Sequence, residues 1–211
     1  MPSQRYSLVA DIGGTNARFA MVRDGDANLI DPRSLICAEY ETLVDAIEHY
    51  LASGPVGRPH QAAISVASPV TGDRLNMTNH TWSFSVSATR ASVGLEHLRV
   101  INDYTALALA LPELSAEQCI KVGPGEGLPG HPMAVLGPGT GLGVSGVIPA
   151  GDHWVPLESE GGHVTYGPTS NRALQIVGVM REKLDHVSCE SLVSGPGLSM
   201  TYDILHRLES G

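Results

Sequence analysis

The sequence predicts an α/β fold, and three observations carry that expectation. Short runs rich in Val, Ile and Leu, each bounded by Gly, Pro, Asn or Asp, recur along the 211 residues and read as strands. Longer stretches place apolar residues at helical spacing. The strands come first in hairpins and then alternate with helices, which is the α/β pattern.

The strand segments are residues 7–10, 17–22, 34–39, 62–66, 98–101, 133–136, 142–148 and 154–157. The helical segments are 42–53, 103–111, 170–185 and 197–208. In the first of these, Leu43, Ile47, Tyr50 and Leu51 fall on one face. The helix at 103–111 stops at Pro112, and residues 123–132 are dense in Gly and Pro, hence a loop. A boundary within 112–132 divides the chain into domains at 1–111 and 112–211. The second half has few strands and ends soon after the 197–208 helix, so the expectation is a fragment.

Composition narrows the function. Hydrophobic residues make up 42%, enough for a core and too many for a disordered chain. Lys+Arg 13 against Asp+Glu 22 gives a net charge of −9. That argues against nucleic acid or an anionic membrane as partner, since both call for a basic surface. Cys37, Cys119 and Cys189 form no C-x-x-C pair, which points to reduced, buried thiols in a cytoplasmic protein. No signal-peptide pattern opens the chain and no apolar run reaches the length of a membrane span.

The most informative stretch is Asp11-Ile-Gly-Gly-Thr-Asn-Ala-Arg18. It joins two apolar runs as strand, glycine turn, strand. Glycines let backbone N–H groups approach phosphate oxygens, and a carboxylate at a strand end can hold a metal-bound water. A tight hairpin is the competing reading. Gly137-Pro-Gly-Thr-Gly-Leu-Gly143 repeats the architecture between Met133-Ala-Val-Leu136 and Val144-Ser-Gly-Val-Ile148. Two such turns, both with Gly-Thr, point to related halves that each offer a phosphate-gripping turn.

Four further clusters carry polar chemistry. Asn102 and Asp103 stand where a strand gives way to a helix. One of them is a helix cap, or Asn102 bonds a hydroxyl and Asp103 takes its proton as general base. Glu160 and His163 flank a Gly-Gly pair and together can bracket vicinal hydroxyls. Zinc is the alternative there, with a poor ligand set. Glu190 opens a short helical turn, where helix-dipole compensation is the plain alternative to ligand binding. Residues 76–84 set Thr78, Asn79 and Thr81 around His80, a pattern that suits a sugar or an ordinary turn, with Met77, Trp82 and Phe84 assigned to the core. There is no Gly-x-Ser-x-Gly and no Gly-Lys-Ser/Thr phosphate motif.

In this order, the pieces resemble the bacterial glucokinases of the hexokinase-like, actin-fold ATPase superfamily. The resemblance spans essentially the whole chain. It is carried by Asp11-Ile-Gly-Gly-Thr-Asn-Ala-Arg18, Met77-Thr-Asn-His-Thr-Trp82, Ile101-Asn-Asp103, Gly139-Thr-Gly-Leu-Gly143, Glu160-Gly-Gly-His163 and Ser194-Gly-Pro-Gly197. It implies a ribonuclease-H-like, two-domain fold with a cleft between the domains, and ATP, Mg²⁺ and D-glucose as ligands. By resemblance, Asp103 is the base for the sugar 6-hydroxyl, and Asn102, Asp103, Glu160, His163 and Glu190 bind the sugar. Ala10, Asp11, Ile12, Gly13, Gly14 and Thr15 resemble the first phosphate loop, with Asp11 near Mg²⁺. Gly139, Thr140 and Gly141 resemble the second. A Cys-rich zinc site after Glu-Gly-Gly-His, found in a related branch, is not matched by Val164-Thr-Tyr-Gly-Pro168. The family's final third, with its adenosine-binding turn and closing helix, has no counterpart in this sequence. The alternatives to a glucokinase are a truncated glucose-binding protein or regulator, or a kinase for another hexose. The resemblance leaves room for a homodimer.

Overall fold

The computed structural model describes residues 4–54, 56–78 and 80–210. It falls into two compact units, Met1–Ala106 and Leu107–Gly211, each described by itself.

The first unit is a five-stranded mixed sheet. Its strands are β1 (Tyr6–Ile12), β2 (Asn16–Arg23), β3 (Leu29–Ile36), β4 (Gln61–Val66) and, after two short strands, β7 (His97–Asn102). The short pair is β5 (Arg74–Asn76) and β6 (Ser83–Ser85). Around the sheet the order is β3-β2-β1-β4-β7. β1 to β3 form an antiparallel meander, while β4 and β7 run parallel to β1. Parallel neighbours need a crossover. Helix α1 (Leu43–Ala52) supplies the one before β4, and α2 (Val86–Val93) lies in the one before β7.

Alternation along the strands builds the core. Leu8 and Ile12 of β1 and Ala62, Ile64 and Val66 of β4 point to one face. There they meet Leu43, Ile47 and Tyr50 of α1 in one cluster with Phe19, Met21, Leu75, Met77, Trp82 and Phe84. Thr42 starts α1 with a capping box: its hydroxyl accepts from Asp45 N, and the Asp45 carboxylate accepts from Thr42 N. Asn79 lies outside the described residues.

Several sequence expectations need correction. The segment 34–39 is not one strand. β3 ends at Ile36, and Cys37–Glu39 is a 3-10 turn closed by Tyr40 N donating to Cys37 O. β3 also begins at Leu29, with Pro32 inside it. β3 is one of the sheet's two outer strands, where a residue without an N–H is tolerated. Strands β5 and β6 and helix α2 were not expected. Of the cysteines, only Cys37 is buried; Cys119 is exposed and Cys189 intermediate.

Helix α3 (Asp103–Ala110) follows β7 directly, and the division between the units falls within it. The second unit has a three-stranded antiparallel sheet, order β10-β9-β8. Its strands are β8 (Met133–Pro138), β9 (Leu142–Ala150) and β10 (His153–Leu157). Helices α4 (Asn171–Met180), α5 (Glu190–Val193) and α6 (Gly195–Ser210) complete it. α4 stops at Met180 rather than continuing to 185. Glu182 N and Lys183 N bond three residues back, to Val179 O and Met180 O, so the chain tightens into turns. Ile176 and Met180 of α4 pack with Val187 and with Ile204 of α6. Among the described residues, no helix is long and apolar enough to cross a membrane.

Candidate active site

In the first unit the polar residues gather at one end of the β1–β4–β7 strands. The β1–β2 connection is a tight hairpin with Gly13 N donating to Asn16 O at 2.9 Å, so the hairpin and the glycine loop are one feature. Ala10, Asp11 and Ile12 end β1, and Gly13, Gly14 and Thr15 form the turn. Thr15 O accepts from Cys37 N at 2.9 Å, which ties the turn to the end of β3.

Asp11 is held at both oxygens. Its Oδ1 accepts from Ser65 Oγ at 3.0 Å, and its Oδ2 accepts from Arg18 Nη1 at 2.8 Å. Both partners follow from register: Asp11 sits opposite Arg18 on β2 and opposite Ser65 on β4. Neither was singled out in the sequence. Arg18 stood inside the quoted motif, but nothing local marked Ser65, which lies 54 residues from Asp11.

Asn102 and Asp103 form the start of α3. Asn102 Oδ1 accepts from Tyr104 N at 2.9 Å and Thr105 N at 3.3 Å, so Asn102 is the cap. Its Nδ2 donates to Asp103 Oδ1 at 2.8 Å and reaches Ser68 O at 3.4 Å. Tyr104 N also donates to Asp103 Oδ1, at 2.9 Å. These bonds load one oxygen of Asp103 and orient the carboxylate. Burial pushes the Asp103 carboxyl above the ordinary carboxylate range, and the charge of Asp11 adds to that, against the lowering effect of the Tyr104 and Asn102 hydrogen bonds.

The second unit carries the other cluster. The β8–β9 turn holds Gly139, Thr140 and Gly141, with Gly139 N donating to Gly141 O at 2.8 Å. Gly139 O accepts from Gly195 N at 2.8 Å, so the start of α6 braces the turn. Glu190, the first residue of α5, reaches the same turn: its Oε2 accepts from Leu142 N at 2.8 Å. Glu160 precedes a 3-10 turn, Gly161–His163. His163 Nε2 lies 3.9 Å from Glu160 Oε2, and His163 Nδ1 lies 3.9 Å from Glu190 Oε1. Those separations exceed hydrogen-bond length, so the three side chains converge with capacity left for a ligand.

Glycines make this packing possible. A Cβ on Gly162 would stand 2.0 Å from Leu142 O, and one on Gly197 would stand 2.7 Å from Ser191 O. Both backbones lie closer to a neighbour than any side chain permits.

The donor sets fit particular ligands. Carboxylates and an imidazole at hydroxyl-bracketing distances suit a polyol. Among the described residues, no group of three or more His, Cys, Asp or Glu could hold a metal ion by itself. One carboxylate beside a glycine turn instead fits Mg²⁺, which keeps several waters and shares its coordination with substrate phosphates.

The sheet order and these two glycine turns define an α/β protein of the glucokinase architecture. A solved glucokinase from an Antarctic psychrotroph superposes with a TM-score of 0.87 at 33% identity, covering 97% of this chain and 65% of that one. The glucokinase family profile matches residues 8–210, and the chain belongs to that family. A glucokinase of Aromatoleum aromaticum is 45% identical over 203 residues, 95% of this chain and 61% of its own length. A bifunctional protein glk of Burkholderia pseudomallei is 48% identical over 198 residues, 94% of this chain and 31% of its own length. The chain thus spans about a third of the bifunctional relatives and 61% of the glucokinase.

Proposed function

We propose that the protein transfers the γ-phosphoryl group of ATP to the 6-hydroxyl of D-glucose in the cytoplasm, on a ribonuclease-H-like fold whose domains are 1–111 and 112–211. The observation that carries the reading is Asp103. It is a half-buried carboxylate oriented through one oxygen and made more basic than usual by burial. A carboxylate whose pKa is raised takes a hydroxyl proton more readily than an ordinary one does.

Asp103 Oδ2 accepts the proton of the 6-hydroxyl as the oxygen attacks. Asn102 fixes Asp103 through Nδ2–Oδ1, and its second amide hydrogen serves Ser68 O or a sugar hydroxyl. Glu160 and Glu190 accept from ring hydroxyls, and His163 donates or accepts between them. A site that pairs each hydroxyl rejects sugars lacking one, because its polar groups would go unpaired. Backbone N–H groups of residues 14, 15, 140 and 141 face phosphate oxygens, while those of Gly13 and Gly139 close their own turns. Asp11, held by Ser65 and Arg18, would hold Mg²⁺ through its water shell. When bound, Mg²⁺ supplies charge neutralisation at the phosphates.

The test is coupled ADP release with glucose and ATP, run beside calorimetry with glucose alone and a panel of other hexoses. Glucose-dependent ADP release supports the reading. Binding without turnover makes the chain a sugar-binding module, and a stronger response to another hexose reassigns the acceptor.

A further inference from the structure

Glu190 is in contact with two things at once. Its Oε2 accepts a 2.8 Å hydrogen bond from Leu142 N, the first N–H after the Gly139-Thr140-Gly141 turn. Its Oε1 faces His163 Nδ1 at 3.9 Å. One carboxylate therefore stands between the hydroxyl-binding cluster and the phosphate turn, and each oxygen serves one side. Its anchor is firm. Glu190 is the first residue of α5, and α6 begins five residues later with Gly195 N donating to Gly139 O at 2.8 Å. The segment from Glu190 to Gly195 thus grips the turn twice, once by side chain and once by backbone.

Gly141 shows how tight that grip is. A Cβ there would lie 2.5 Å from Glu190 Oε2 and 3.3 Å from Glu190 Cδ. Its nearest obstacle is the carboxylate end of a flexible side chain, so an added methyl displaces Glu190 and spares the backbone.

We propose that Glu190 is a latch that couples the two sites: a sugar drawing on Oε1 fixes the carboxylate, and the fixed carboxylate sets the 139–142 turn through Leu142 N–H. This rests on the proposed role of Glu190 as a sugar ligand and of the turn as a phosphate loop. Coupling of this kind is reciprocal: whatever orders the turn must tighten the sugar, and whatever disturbs the turn at Gly141 must loosen it. Glu190 acts on phosphate binding as a positioning residue, through the turn.

The test is glucose affinity, measured by calorimetry without nucleotide, for wild type, Gly141→Ala and Glu190→Ala. Thermal melts establish that each variant is folded. Both substitutions are expected to weaken glucose by at least about tenfold, the weight of one charge-assisted hydrogen bond. In wild-type protein the Leu142 amide resonance is expected to move on glucose addition, and in Glu190→Ala it should stay still. Gly141→Ala binding glucose within about twofold of wild type, while Glu190→Ala is weakened, overturns the latch and leaves Glu190 as a sugar ligand. Wild-type affinity in both variants overturns the latch and the sugar role of Glu190 together. If Gly141→Ala does not fold, the Leu142 resonance decides: no movement with saturating glucose overturns the latch. Wild-type protein that binds no glucose refutes the proposed function itself.

Discussion

Replacing Gly162 by alanine tests the packing on which the second unit's site depends. The new Cβ would stand 2.0 Å from Leu142 O and 3.0 Å from Leu142 C, with Leu142 Cβ at 3.1 Å. Both nearest atoms are backbone, so no side chain can swing aside. The Leu142 carbonyl has to retreat by at least about 1 Å before repulsion gives way to contact. Leu142 opens β9 and is paired with Pro138, and its N–H is the one Glu190 accepts, so the displacement strains both. Overpacking of this kind costs about 1–3 kcal/mol. Losing a charge-assisted hydrogen bond to a partly exposed carboxylate adds about 1 kcal/mol. A total near 2–4 kcal/mol in a unit of about 100 residues lowers its melting temperature by roughly 10 °C or more. Differential scanning calorimetry of wild type and Gly162→Ala measures this. A variant melting within about 2 °C of wild type would refute the argument, because it would mean that the Leu142 carbonyl has room to yield.

Thr42→Ala removes a capping box from α1 and should lower stability by about 1 kcal/mol in urea titration, with no change in glucose binding. Asp103→Asn should be at least as stable as wild type at pH 7. The folded-state pKa of Asp103 is raised, so its stabilising contribution is full below the unfolded value of about 3.9 and is lost as pH rises through the folded value. The melting-temperature gap in favour of the variant should therefore close as pH falls toward 4. In alkylation of native protein, Cys119 should react first and Cys37 last. Cys119 is exposed, whereas burial pushes the Cys37 thiol up and its Sγ faces Gly13 O.

Much of the fold was legible because its strands are short apolar runs between strong turn residues. β1, β2, β4, β7 and the β8–β9–β10 sheet all lie over their expected positions. What escaped has physical reasons. Asp31-Pro32 disguised the first half of β3, where an outer strand with a register irregularity at these two residues admits a proline. Helix α2 reads Val-Ser-Ala-Thr-Arg-Ala-Ser-Val, poor in strong helix formers. Its signals were at its ends: Ser85 accepts from Ala88 N, and Gly94 closes it at φ 77°. β5 and β6, at three residues each, are too short for alternation to show. At the site, the choice of cap between Asn102 and Asp103 needed coordinates, and they give it to Asn102. The Glu190–Leu142 contact joins residues 48 apart, and Ser65 meets Asp11 only through the parallel β1–β4 register. No local pattern encodes either.

The proposed removal of the sugar proton by Asp103 can be tested in a single comparison. Turnover is measured as ADP release with glucose and MgATP for wild type and Asp103→Asn, with glucose affinity of both measured by calorimetry. Asparagine keeps the oxygen that accepts from Tyr104 N and Asn102 Nδ2, so the site should keep its shape. General-base catalysis contributes about 10²–10⁴-fold. If Asp103 is the base, wild type turns over, kcat of the variant falls by at least about 100-fold, and glucose affinity stays within about threefold of wild type. Asp103→Asn turning over within about twofold of wild type would contradict it.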